Sequence, residues 1–543
     1  MVKSIFSILT TRQTSILSGA AIIMVMVLMS KILGLARDRL LAHIFSPDTV
    51  AIFFAAFRLP DLIFQLLILG TMSVAFIPVF TEYLETKKKE EAFALAESLM
   101  VTLLIFFTVV TVLVYIFINQ LTFLIVPGFS TEQRLEVASL TKIILVGQII
   151  LAVGSFFVGV LQSFQRFIIP ALAAVFYNFG IILGIIFLAK PLGILGPAVG
   201  VIIGAILHVL VQLPLIMSIG FKINFRVQFF HPGLKEILGL MSMRTIGLAA
   251  EQVNETVGII LSSLISTASV TYLTFAQHLQ VVPIGLFGAT IAQAALPVLS
   301  SERAKGKLEE FRVTFLTTLH QILFLALPAT AILIVLRIPV VRLIFGASQF
   351  DWPSTVLTGM TLAFLSIGLA VQSVSLLLVR GFYAMKDTRT PVLVSFIVVV
   401  INIVLSFYFV RVLNFEVWSI GLAFSISSII SGLLLFFTLD RKVGGFEKQA
   451  VFLPFFKMLM ATVIMGVALY VPIKLLDNVI FDTTRTINLL ILTGLSSIFA
   501  LVVYLCLVWF LKVRELATYV DLLKRIGKYQ TKIRSEELIH KPS

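Results

Sequence analysis

Apolar stretches of about 18 to 25 residues alternate with short polar segments along the chain, each long enough to cross roughly 30 Å of hydrocarbon. They predict fourteen transmembrane helices near 14–35, 50–76, 94–118, 139–163, 168–189, 195–218, 237–264, 271–298, 313–336, 355–379, 391–411, 417–438, 452–473 and 486–511. The tract 337–353 is amphipathic and interrupted, and is expected outside the membrane as an interfacial loop. The first apolar run ends in Leu35-Ala36-Arg37-Asp38. That is not a small-residue cleavage site, so the run reads as a span and not as a signal peptide. The expected fold class is an all-α polytopic membrane protein.

Short segments between spans set the orientation. With the N-terminus inside, the cytoplasmic segments 1–13, 77–93, 164–167, 219–236, 299–312, 380–390, 439–451 and 512–543 hold 27 of the 41 Lys and Arg. A bias spread over so many short loops follows the positive-inside rule and places both termini in the cytoplasm. The basic, amphipathic tail 512–543 suits anionic lipid.

Composition agrees: 59% of the 543 residues are hydrophobic and 13% charged, against about 25% charged in soluble domains. Mean hydropathy is +1.09. The net charge of +14 is distributed for a bilayer and not for nucleic acid. One cysteine and six scattered histidines leave no disulfide framework or metal-ligand set.

Two halves of the chain echo each other. Ala75-Phe-Ile-Pro78 and Ala295-Leu-Pro297 end the second and eighth spans, with the prolines 219 residues apart. Pro170 and Pro391 open the fifth and eleventh, 221 apart, and Gly196 and Gly421 open the sixth and twelfth, 225 apart. Six spans per unit preserve orientation, so this is a parallel repeat, the architecture of transporters with a midplane cavity. The expected domains are an N-terminal lobe 14–218, a C-terminal lobe 237–438, a helix pair 452–511 and the tail 512–543.

A charge at mid-bilayer costs about 2.5–3.5 kcal/mol even on the lenient insertion scale, so it normally faces protein or a wet cavity. The first span carries Lys31 and ends in Arg37-Asp38; the second carries Arg58 and Asp61 on one face, with Gln65 a turn on. The seventh carries Arg244, Glu251 and Glu255 on one stripe, and the eighth Gln277 and His278. Arg58 and Asp61 can pair with each other, and Lys31 can snorkel. If these groups share a cavity, the first lobe supplies cations suited to a diphosphate, and the second supplies carboxylates suited to a cation or proton. No P-loop, metal-ligand spacing or nucleophile elbow is present. The chain therefore reads as no enzyme, with no bound cofactor, and its transport would draw on an ion gradient (Na+ or H+) or the membrane potential.

Ser30-Lys-Ile-Leu-Gly-Leu-Ala-Arg-Asp38, Phe57-Arg-Leu-Pro-Asp61, Pro127-Gly-Phe129, Arg166-Phe-x-x-Pro170, Gln212-Leu-Pro214 and Gly381-Phe-Tyr-x-x-x-Asp-x-x-Thr-Pro391 occur in the order found in the MurJ (MviN) family. The chain resembles these bacterial lipid II flippases of the MOP exporter superfamily over about 15–512. The chain is expected to act as a monomer, and the resemblance implies an inner-membrane protein that moves undecaprenyl-diphosphate-linked peptidoglycan precursor to the outer leaflet. It also implies a cationic cavity for the head group and a lipid groove at the last two spans. Lys31, Arg37 and Asp38 match cavity positions, and Arg58, Asp61 and His278 join them as head-group candidates. Arg244, Glu251, Glu255, Gln277 and Asn402 are candidates for the cavity wall or for coupling. The chain departs from the pattern at Asp61 to Gln65, where a basic pair is usual, and at His278, where an arginine is expected. Ser406 stands where an acid would follow Asn402. Two other readings are a cation-coupled exporter of small molecules or of another polyprenyl-linked oligosaccharide, with Glu251 and Glu255 as coupling groups, and a scaffold acting through its basic tail.

Overall fold

The computed structural model describes residues 16–69, 72–87, 89–221, 231–346, 348–477, 481–483 and 485–519. It is all-helical, with no β-strand among the described residues. Eleven of its helices are long and apolar enough to cross a membrane, or twelve if the bent pair Trp352–Ile367 and Leu369–Ala384 is one span. The expected count of fourteen is not reached. Helices Ile16–Ile44 and Pro232–Ile265 lie at the expected first and seventh positions without joining that set. The tract 337–353, expected to be a loop, begins with the helix Arg337–Phe345. Val341 and Phe345, four residues apart on one face, are fully buried there, which gives the segment the apolar stripe a short helix needs.

By packing, the chain forms two compact units. One comprises 1–278, 344–358 and 395–420, the other 279–343, 359–394 and 421–543. Residues 237–278, placed by the sequence repeat in the second lobe, pack within the first of these units.

In the first unit the helices used below are α1 (Ile16–Ile44), α2 (Pro47–Phe64), α3 (Thr131–Ser163), α4 (Ile168–Leu183), α5 (Leu195–Ser218), α6 (Pro232–Ile265) and α7 (Thr267–Pro283). Local chemistry fixes their starts. Ser46 caps α2, its Oγ accepting from Thr49 N at 3.4 Å, with Pro47 and Asp48 in the first turn, where a missing N–H and a negative charge are both favourable. Ser130 and Gln133 form a reciprocal capping box that satisfies two orphan N–H groups. It starts α3 at Thr131, eight residues before the apolar run.

α4 and α5 pack by backbone. A Cβ on Gly180 would overlap the backbone of Gly204, and one on Gly184 would overlap that of Gly200. This is the small-residue packing that substitutes for a hydrophobic driving force between helices in lipid. α1 packs on α4, α2 on α3 and α3 on α5. Phe76, Phe80, Phe156 and Phe157 centre the core. On the helix Lys89–Ile116, Phe106, Val109, Leu113 and Ile116 form an exposed stripe at helical spacing, suited to lipid.

Some local geometry recurs at a similar spacing. π-helical turns occupy Gln65–Leu69 and Ile284–Ala289, 219 residues apart at their starts. Others occupy Gly184–Leu188 and Tyr408–Val412, 224 apart. Pro60 and Pro283 precede the first pair, and a proline, lacking an N–H, disturbs the regular hydrogen-bond ladder.

Candidate functional site

Several of the charged candidates in the first unit gather in two clusters. In one, Arg37 donates from Nε (3.0 Å) and Nη2 (2.8 Å) to Asp38 Oδ1. His278 Nδ1 sits 2.7 Å from Asp38 Oδ2; a carboxylate can only accept, so Nδ1 carries the proton. Asp38 is 1% exposed, and a carboxylate so buried needs this double pairing. Arg37 Nη1 reaches Asn178 Oδ1 at 3.4 Å, while Asn178 Nδ2 donates to Ser30 Oγ at 3.3 Å. Asn178 thus ties α1 to α4 at the level of the cluster.

The second cluster centres on Arg58 of α2, which is 6% exposed. Its Nε donates to Thr256 Oγ1 (2.9 Å), its Nη1 to Glu255 Oε2 (2.8 Å), and its Nη2 to Gln252 O (2.6 Å) and Oε1 (2.8 Å). Gln252 Nε2 in turn donates to Gln65 Oε1 at 2.8 Å. Three residues of one α6 turn therefore wrap a single guanidinium. Arg58 pairs with Glu255 and not with Asp61, whose Oδ1 accepts from Gln148 Nε2 at 3.3 Å. Asp61 lies within electrostatic reach of Arg58 and Glu255 and also of Arg37 and His278, so it links the two clusters.

The sequence suggested cations in one lobe and carboxylates in another. The fold interleaves them instead: Arg37 and Arg58 stand among Asp38, Asp61 and Glu255.

The other candidates fall around these clusters. Lys31 and Glu251 are exposed, and Gln277 is half-buried. Asn402 is buried, and its Oδ1 accepts from Ser406 Oγ at 3.3 Å. The side chain of Arg244 lies outside the described residues, as do the residues of the tail beyond 519. A cavity of about 500 Å3 opens beside Gln65, its wall including Ser155, Gln162, Ala174, His208 and Leu248. Neither Arg37 nor Arg58 lines it.

Sequence reading missed Asn178, Gln148, Gln252 and Thr256 as partners. Each is a polar residue in an apolar run, and that was the available signal; their roles depend on which helix lies opposite.

Asp387, in the loop before the helix Arg389–Phe407, lies in the second unit. Its Oδ1 accepts from the N–H groups of Arg389 and Thr390, both at 3.0 Å, and its Oδ2 pairs with Lys442. It is an N-terminal cap, which gives the Asp-x-x-Thr-Pro element a structural reason. Burial pushes this carboxyl up, but the hydrogen bonds from Lys442 and Thr390 outweigh that and hold it at about 2.

Known proteins resemble this chain throughout its length. The sequence model of the lipid II flippase MurJ family matches residues 41–504. A probable lipid II flippase MurJ of Buchnera aphidicola subsp. Schizaphis graminum is 27% identical, over 94% of this chain and 99% of its own. The lipid II flippase MurJ of Burkholderia cenocepacia is 26% identical, over 80% and 85%. A solved structure of lipid II flippase MurJ in an inward closed conformation superposes with a TM-score of 0.75 at 25% identity, covering 92% of this chain and 99% of that one. An inward-facing multidrug resistance MATE transporter of the MOP superfamily has a TM-score of 0.66 at 15% identity, covering 78% and 98%, and shares the fold. With the family model spanning most of the chain, and an all-helical membrane fold carrying buried charges inside its spans, this protein belongs to the lipid II flippase MurJ family.

Proposed function

We propose that this chain moves lipid II, a polyprenyl-diphosphate-linked peptidoglycan precursor, from the cytoplasmic to the outer leaflet of the bacterial inner membrane. The observation that carries the reading is a pair of guanidiniums, Arg37 half-buried on α1 and Arg58 buried on α2 within a candidate span. A fixed guanidinium fork matches the oxygens of a diphosphate, and a membrane protein keeps such costly groups where a charged substrate passes. Lys31, exposed on α1, is a first contact for the same anion. Alternating access by the two repeats would carry the head group across, driven by a cation gradient or the membrane potential. Both termini face the cytoplasm in this reading, the protein acts as a monomer, and its basic loops lie against anionic lipid.

The test is rescue of a bacterium depleted of its own lipid II flippase. Growth restored by this chain, with transport of the labelled precursor to the outer leaflet, supports the reading. Stable membrane expression without rescue sinks it. A cation-coupled exporter is the second reading; the engagement of Glu255 by Arg58 counts against Glu255 as an open cation site.

A further inference from the structure

Arg58 and Glu255 are unequally placed. The Arg58 side chain is 6% exposed and that of Glu255 46%. The Glu255 carboxylate therefore has open space beside it into which it can turn, whereas Arg58 is enclosed. Of the groups that bond Arg58, Thr256 Oγ1, Gln252 O and Gln252 Oε1 are neutral, and Glu255 is the anion. Departure of Glu255 alone would remove the one anion hydrogen-bonded to this buried guanidinium, leaving Asp61 only within electrostatic reach, so a replacement anion at that place is favoured.

We propose that Glu255 is a built-in stand-in for the substrate's anionic group: the diphosphate binds Arg58 by displacing the Glu255 carboxylate, and Glu255 returns when the diphosphate leaves. Gln252 and Thr256 then hold the guanidinium fork in place through the exchange. The resting site is neutralised, so inorganic anions are not drawn into the membrane, and only a ligand that supplies its own anion opens the pair. This deepens the flippase reading and rests on it.

The test measures binding of undecaprenyl diphosphate to the purified full-length protein in detergent, for the native chain, for Glu255→Gln and Glu255→Ala, and for each change combined with Arg58→Lys. Removing the competing carboxylate tightens binding by roughly two- to fivefold, the range of a half-exposed ion pair. The gain shrinks with Arg58→Lys, whose ammonium lacks the fork. Undecaprenol, which has no diphosphate, binds the native chain and the Glu255 variants alike. Unchanged or weaker diphosphate binding in both folded Glu255 variants overturns the proposal, as does an equal gain for undecaprenol. If the native chain fails to bind undecaprenyl diphosphate at all, it is the flippase reading that fails.

Discussion

Arg58 Nη1 lies 2.8 Å from Glu255 Oε2, although 197 residues separate them and Asp61 stands only three residues along Arg58's own helix. The nearer carboxylate in sequence is bonded to Gln148 instead. Which acid neutralises this arginine is settled by the approach of α6 to α2.

Arg37→Ala is expected to abolish rescue of a flippase-depleted strain while membrane abundance stays near normal. The substitution removes a half-buried cation and leaves Asp38 with His278 alone. Growth counts beside immunoblots decide it; full growth at normal abundance would remove Arg37 from the site.

His278→Arg should preserve rescue, and His278→Leu should lose it. Asp38 Oδ2 needs a donor at this position, and a guanidinium supplies one with permanent charge. Leucine leaves a buried carboxylate oxygen unsatisfied, a loss of about 1–3 kcal/mol or more for a charged group. Comparable growth of both variants would show that the bond to Asp38 is dispensable.

Gly180→Val and Gly204→Val are expected to lower the thermal midpoint in detergent. A Cβ at either position meets the backbone of the facing helix, and backbone cannot swing aside as a side chain can; overpacking of this kind costs about 1–3 kcal/mol. Gly239→Val, where a Cβ meets nothing within 4 Å, is the control and should shift the midpoint far less.

Asp387 predicts an acid-side pH dependence. Its carboxyl is held at about 2 in the folded chain, below the roughly 3.9 of an unfolded aspartate. The folded state thus binds the proton less readily, so the stabilisation is complete above about pH 4 and is lost as pH falls towards 2. Asp387→Asn keeps the capping oxygen and removes the charge. The difference in unfolding midpoint between native and variant should be largest at neutral pH and vanish near pH 2. A difference independent of pH would mean that the charge is not the stabilising feature.

Glu515→Ala and Tyr519→Ala, singly and together, are expected to lower the thermal midpoint in detergent. Glu515 is buried against His320 at 3.4 Å, and the Tyr519 ring stacks on Phe324 at 5.2 Å. The segment 515–519 is thus packed within the second unit. Thermal midpoints equal to that of the native chain would refute that docking.

The sequence by itself determined the class of protein and most of the helix order. These are legible because in lipid each helix satisfies its own backbone and pays for its place with its own apolar side chains, so the signal is local. It also marked Arg37, Asp38, Arg58, Glu255 and His278 as charges without a local reason. Helix ends escaped where caps such as Ser130 outweighed hydropathy, and the helix Arg337–Phe345 escaped because its apolar stripe is too short to register. Only the tertiary structure decided the partners: Asp38 between Arg37 and His278, Arg58 inside a turn of α6, Asn178 bridging α1 and α4. Coulomb and hydrogen-bond energies depend on separations of a few ångströms, and those separations are set by glycine-to-glycine packing and helix crossings between segments far apart in the chain.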